Sequence, residues 1–191
     1  MTDASMSLRL RFLSRDGLDD DLGAFIELLQ DAVDGGASLG FLAPMPHDTA
    51  RRYWLSIRDE IASGSRLLLA AYANGRLAGT GQLFLPVLPS AHHRAEVQKL
   101  LVHSSVQRLG LGRRLLLALH DAARAQQRSL IVLGTRSGEP PEAFYQRVGY
   151  RLAGVIPGHT AGADGERYDS SWLYLDLSQP VSRPTSELLA A

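Results

Sequence analysis

The 191-residue chain contains no cysteine. That excludes a disulfide framework, a thiolate nucleophile and a cysteine-ligated metal. An excess of charge is missing too: Lys and Arg together number 20, and so do Asp and Glu. No net basic field therefore points to nucleic acid or to an anionic membrane surface. Long apolar runs are absent, and the first residues lack a continuous apolar signal region. These absences predict a cytoplasmic protein with neither a nucleic acid nor a membrane as partner. Internal repeats are absent as well, and the length suits one domain with a core of its own. The expected organisation is a single domain over residues 1–178 and a flexible Pro- and Ser-containing tail over 179–191, where Glu187-Leu188-Leu189 could dock.

What is present centres on Val97 to Leu119, VQKLLVHSSVQRLGLGRRLLLAL. A strand-like run to Val102 meets a polar turn, then Gln107-Arg108-Leu109-Gly110-Leu111-Gly112-Arg113, then a strongly helical segment. Glycines at such a turn let backbone approach a ligand, and a new helix presents unpaired N–H groups at its positive end. This suits a phosphate, with Arg108, Arg113 and Arg114 adding charge. A plain packing turn explains the same residues on their own.

Around this stretch the periodicities predict an α/β fold, a mixed sheet of about seven strands with about four helices. Strands are expected at Ser7–Leu13, Arg66–Ala73, Leu77–Leu85, His93–Val102, Leu130–Leu133, Tyr150–Ile156 and Trp172–Leu177. Asn74-Gly75 is a hairpin signal between the second and third. Helices are expected from about Asp20 to Asp34, with Asp19, Asp20 and Asp21 loading its first turn, and from Asp48 or Thr49 to Ser63. Two more are expected over Leu111–Gln127 and Glu142–Val148. The apolar, patternless loop Gly36–Pro46 either packs over a helix or walls a site. No histidine pair shows metal-ligand spacing with a carboxylate. His120 is expected on a solvated helix face, His159 in a loop as a solvated residue or one that could touch substrate, and no metal is predicted.

Two motifs carry a resemblance. Gln107-x-x-Gly110-x-Gly112 is similar to the acetyl-CoA motif of the GCN5-related N-acetyltransferases. Ala143-Phe144-Tyr145-Gln146-Arg147-Val148-Gly149-Tyr150 is similar to a later element of that superfamily. Further stretches, Gly35–Phe41, Arg94–Leu100, Glu142–Tyr145 and Pro157-Gly158, resemble the tabtoxin-resistance type of acetyltransferase, which acetylates the amine of an amino-acid-like toxin. The resemblance implies acetyl-CoA as donor, no metal, and a small-molecule amine as acceptor. It implies main-chain contacts to pantetheine from Leu100, Leu101 and Val102. It also implies a pyrophosphate seat over Gln107, Arg108, Leu109, Gly110, Leu111, Gly112 and Arg113.

An amine near its solution pKa of about 10.4 is protonated at neutral pH and needs a base before it can attack a thioester. The resemblance gives this role to Glu96, expected on one strand face with Gln98 and Leu100; an ion pair with Arg94 is the plainer reading. It gives Tyr145 the protonation of the leaving thiolate, against simple packing on the sheet. Two departures stand out: Gly134 where the resistance type has an acidic residue, and Gly138 near the place of a frequent asparagine. The leading expectation is acetylation of a small amine by direct attack in a ternary complex. Acetylation of a protein or peptide, or a non-catalytic acyl-CoA sensor, is the alternative. Exposed strand edges allow a homodimer.

Overall fold

The computed structural model describes residues 7–178, so the expected tail 179–191 lies outside the described residues. Seven strands form one sheet in the order β1-β2-β3-β4-β5-β7-β6. They are β1 (Leu8–Leu13), β2 (Arg66–Ala73), β3 (Arg76–Phe84), β4 (Arg94–Val102), β5 (Leu130–Arg136), β6 (Arg151–Ala161) and β7 (Arg167–Asp176). The helices are α1 (Arg15–Asp20), α2 (Leu22–Asp34), α3 (His47–Ser56), α4 (Arg58–Ser63), α5 (Leu111–Ala125) and α6 (Pro140–Arg147). Among the described residues no helix is long and apolar enough to cross a membrane.

Among the described residues only β4 and β5 pair in parallel. The crossover between them is α5, as the strand–helix–strand pattern predicts. The hairpin at Asn74-Gly75 forms with both residues at positive φ, 50° and 81°. That is the backbone a tight primed turn needs to match the twist of its strands.

The sheet separates two apolar clusters. On one face Leu69, Ala71, Leu83, Ala95, Val97, Ile131 and Leu133 pack against Leu111, Leu115, Leu116 and Leu119 of α5. On the other face Leu68, Ala70 and Leu101 meet Phe25, Leu28, Leu29 and Trp54 of α2 and α3. Burying each such side chain contributes about 1.5–3 kcal/mol relative to exposure. Two glycines of β3 set how closely α5 sits. A Cβ at Gly79 would lie 2.8 Å from the Leu101 carbonyl, and one at Gly81 would lie 2.8 Å from Leu119 Cδ1. The absent side chains let α5 rest directly on the sheet, with its N-terminus at the end of β4.

Three expectations need correction. The first helix starts earlier: Ser14 accepts from the Gly17 N–H at 3.2 Å and caps α1. The aspartates then fall at the break between α1 and α2, where Asp19 takes the Arg58 guanidinium at 2.5 Å and Asp21 accepts from the Tyr72 hydroxyl. The second expected helix breaks at Ile57 into α3 and α4. The four longer helices, α2, α3, α5 and α6, match the expected four, and the six-residue α1 and α4 add to them.

His120 is the third. It is 3% exposed, and its Nε2 lies 2.9 Å from the Tyr150 hydroxyl. It sits beside Leu116, Leu119 and Ala123 in the buried stripe of α5. Burial, then the Arg124 charge, lowers its pKa to about 4 against the pull of Asp121.

Candidate active site

The site begins where two strands part. β4 pairs with β5 only through Arg94↔Leu130, Ala95↔Ile131 and Glu96↔Val132. Beyond Glu96 the strands diverge, leaving the facing edge of β4 without a ladder partner. The resulting cleft, about 760 Å³, is lined by Glu96 to Val102, Gly134 to Arg136, Tyr145 and the loop residues 36–40. That volume is ordinary for a small-molecule site.

A bulge decides what β4 shows to the cleft. Thr80 pairs with Leu101 but Gln82 with Gln98, so β4 carries one extra residue there. Lys99 takes φ 46°, a conformation that is costly for a residue with a side chain. The bulge shifts the alternation of side chains by one. Leu101 packs on the α2–α3 face with Phe25 and Trp54, whereas Leu100 packs on the α5 face with Leu119. Glu96 and Gln98 share a face as expected, since the Gln98 amide donates to Glu96 Oε1 at 2.9 Å. Leu100 does not share it. The expected face pattern fails at the bulge, whose one extra residue flips every later side chain to the other face.

Glu96 makes no ion pair with Arg94 among the described residues. Its neighbour Lys99 donates to the Leu39 carbonyl at 2.8 Å and faces the rings of Phe41 and Tyr53 at 5.5 and 5.3 Å. Burial, then the Arg66 charge, lowers the Lys99 pKa, while Glu96 opposes the shift. Tyr145, on α6, lines the other side of the cleft. Its hydroxyl has no hydrogen-bond partner among the described residues, and burial pushes its pKa up to about 12. The phenol therefore keeps its proton, and can donate it, throughout the neutral range.

At the mouth lies the turn into α5. Arg108 and Gly110 both adopt left-handed conformations, φ 62° and 79°. Gly110 is the N-cap, and no side chain caps the helix. The first N–H groups of α5 therefore point outward without an intrahelical partner. Gln107 ties back to the Val102 carbonyl at 3.1 Å, and Asp31 of α2 accepts from the Ser104 N–H at 2.8 Å, fixing the turn. Arg108, Arg113 and Arg114 are exposed and make no ion pair among the described residues. A Cβ at Gly112 would meet only Val102 and Phe144, at 3.7 and 3.9 Å. The fold itself thus tolerates a side chain there.

The sites named from the sequence therefore fall in two places. Glu96, Leu100, Leu101, Val102, Gln107 and Tyr145 line the cleft. Gly110, at the head of α5, and Arg113, in its first turn, are not among the lining residues; nor are exposed Arg108 and Leu109 or half-buried Gly112, while Leu111 is buried in the core. The loop expected to form a wall does so over 36–40, while Met45 at its end is buried among the α2–α3 residues.

The sequence reading missed several lining groups. Arg136 ends β5 with its guanidinium 3.9 Å from the Tyr168 ring centre and Glu139 at 4.0 Å. His159 belongs to β6 rather than to a loop, and its Nδ1 lies 3.0 Å from Ser170 Oγ. Trp172 pairs across from Gly134, whose added Cβ would touch the indole at 3.5 Å, and the buried indole N–H has no partner among the described residues. The only local signal was the long apolar-to-polar run of β6 and β7. Among the described residues no group of three or more His, Cys, Asp or Glu could hold a metal ion.

Comparison with known proteins agrees with this architecture. An N-acetyltransferase of Azospirillum brasilense, uncharacterized and encoded between hisH and hisA, is 29% identical over 118 residues, 61% of this chain and 68% of that protein. The YncA protein of Salmonella typhimurium, solved with its cofactor acetyl-CoA, superposes with a TM-score of 0.72 at 20% identity, covering 94% of this chain and 99% of the other. A ribosomal-protein-alanine N-acetyltransferase of Brucella melitensis gives 0.71 at 21% identity, over 88% and 99%. The model of the acetyltransferase (GNAT) family matches residues 28–150, from α2 through α5 to the tyrosine after α6, and the chain belongs to that family.

Proposed function

We propose that this enzyme moves the acetyl group of acetyl-CoA to the primary amine of a small, amino-acid-like molecule, by direct attack within a ternary complex. One observation carries the reading: the parted β4–β5 cleft holds the Glu96 carboxylate and the Tyr145 phenol together, with an uncapped helix N-terminus at its mouth. The open N–H groups and left-handed turn over 108–113 suit a pyrophosphate. The unpaired edge of β4 from Leu100 to Val102 suits an amide-bearing arm. Acetyl-CoA supplies an activated acetyl thioester. Glu96 takes the proton of the incoming ammonium; the freed amine forms the new N–C bond as the C–S bond breaks, and the nitrogen releases its second proton to solvent to leave the neutral amide. Tyr145 hands its proton to the departing sulfur and regains one from solvent. The absence of cysteine agrees with transfer without an acyl-thiol intermediate.

The small acceptor is supported by the cations around the cleft. Lys99, Arg136 and Trp172 line it. An amine that also bears a carboxylate fits such a surface better than a polyamine does. On the edge strand β6, Leu152, Val155 and Ile156 are 46%, 45% and 44% exposed, which supports the expected homodimer. Sedimentation at micromolar concentration reads that directly.

The test measures CoA release from acetyl-CoA against amino acids, dipeptides, polyamines, aminoglycosides and short peptides. Turnover confined to amino acids or dipeptides is expected. Turnover confined to peptides, or acetyl-CoA binding with no turnover at all, contradicts the proposal.

A further inference from the structure

A line of hydrogen bonds runs from the surface to the proposed base. Arg66 is 7% exposed. Its Nε and Nη2 donate to Glu60 Oε2 at 2.8 and 2.7 Å. Its Nη1 donates to Gln82 Oε1 and to Gln98 Oε1, both at 2.7 Å. The Gln98 amide nitrogen then donates to Glu96 Oε1. Strand β2 contributes Arg66, β3 contributes Gln82 and β4 contributes both Gln98 and Glu96, and Gln82 and Gln98 are direct register partners.

The direction of this line is forced. A guanidinium only donates, so the Gln98 oxygen must face Arg66 and its nitrogen must face Glu96. The Tyr53 hydroxyl also donates to Gln82 Oε1, at 3.0 Å, and burial pushes that phenol up to about 12, so it remains a donor. Along the branch from Arg66 Nη1 through Gln98 both donated protons are directed toward Glu96, and that branch ends on a carboxylate that only accepts. Without Arg66 the Gln98 amide is free to turn over and set its oxygen against that carboxylate.

The arrangement is poor as mere core filling. The ion pair is only half buried, with the Glu60 side chain 40% exposed, and such a pair adds little stability. Here the Gln82 amide nitrogen is also left buried without a partner, a further cost. The branch that costs this ends on Gln98 and Glu96, which both line the cleft, and that fits a role there.

We infer that Gln98, itself oriented by Arg66, is a positioning residue that fixes the Glu96 carboxylate with one oxygen occupied and the other free for the amine. This rests on the reading of Glu96 as base.

The experiment compares Gln98→Leu, Arg66→Met and Arg66→Lys with Glu96→Gln and with the double variant Glu96→Gln/Gln98→Leu. The probe is acetyl-CoA with the fastest amine of the panel above. Gln98→Leu is expected to lower kcat by about tenfold or more, as small misplacements of a reacting group do. The KM for acetyl-CoA stays within about twofold, since only the base is displaced. Added to Glu96→Gln, the Gln98 change costs nothing further, because it acts through a group already gone. Arg66→Lys recovers part of the Arg66→Met loss. An independent reading needs no turnover: the Gln98 side-chain amide protons exchange slowly in the wild type and rapidly in Arg66→Met. Losses that multiply in the double variant, an unchanged kcat in Gln98→Leu when Glu96→Gln is inactive, or equal amide exchange in both proteins would overturn the inference. Full turnover by Glu96→Gln would instead remove the base itself.

Discussion

The two halves of the cleft are made of different material. The mouth at α5 is built from backbone: two left-handed residues, an uncapped helix and glycines, contiguous in sequence. The opposite wall is built from side chains, Glu96, Gln98, Lys99, Arg136, His159 and Trp172, drawn from four strands. A backbone site recognises what all acetyl-CoA users share. A side-chain site can be changed residue by residue, and under the proposed function it is the half that sets acceptor choice.

That difference is open to attack, and the sharpest way is through the wall. Glu96→Gln should lower kcat by about 10²–10³-fold, the range of general-base contributions, with the acetyl-CoA Kd unchanged. Kinetics of CoA release with parallel calorimetry checks both. Tyr145→Phe should cost about 10²-fold in kcat. Because the Tyr145 pKa is up to about 12, its ionisation should produce no alkaline fall in kcat below about pH 11.

Gly112→Ala probes the mouth. The added methyl meets only ordinary contacts inside the protein. It should therefore leave Tm within about 1 °C while weakening acetyl-CoA about tenfold, equal to about 1.4 kcal/mol. A drop in Tm with unchanged Kd would make Gly112 a packing residue. Replacing Arg108, Arg113 and Arg114 together by glutamine should weaken binding by a few-fold at low salt and less at high salt, where exposed charges are screened. Titration at two ionic strengths shows this.

The smallest effect concerns the support under the mouth. His120 is buried neutral, with a pKa near 4 against about 6.5 unfolded. The unfolded chain binds the extra proton between those values, so stability is complete above about pH 6.5 and declines as pH falls toward 4. The decline amounts to a few kcal/mol at most, about 1.4 per pH unit. Chemical unfolding between pH 7 and 4 should show a shallower slope in His120→Gln than in the wild type.

How much of this was legible follows the same divide. The α5 turn, the Asn74-Gly75 hairpin and the crossover are local, because their glycines and spacings act over a few residues. The Lys99 bulge is not local. It arises from the fit of β4 against β3, so alternation alone put Leu100 on the wrong face. His120 was misjudged because its arginine neighbours marked a solvated face, whereas its buried place is set by Tyr150, thirty positions away. The aspartates at 19–21 were read as one helix start, but their partners Arg58 and Tyr72 come from other elements. Arg136, His159 and Trp172 carry no motif at all, and only the sheet order brings them to Glu96.

The central claim is direct transfer between two substrates held at once in this cleft. Initial velocities of CoA release, with acetyl-CoA and the fastest amine both varied, test it most directly. Intersecting double-reciprocal lines, with kcat lost in Glu96→Gln and the acetyl-CoA Kd retained, are the predicted result. Parallel lines, the mark of an acetylated enzyme intermediate, would contradict it.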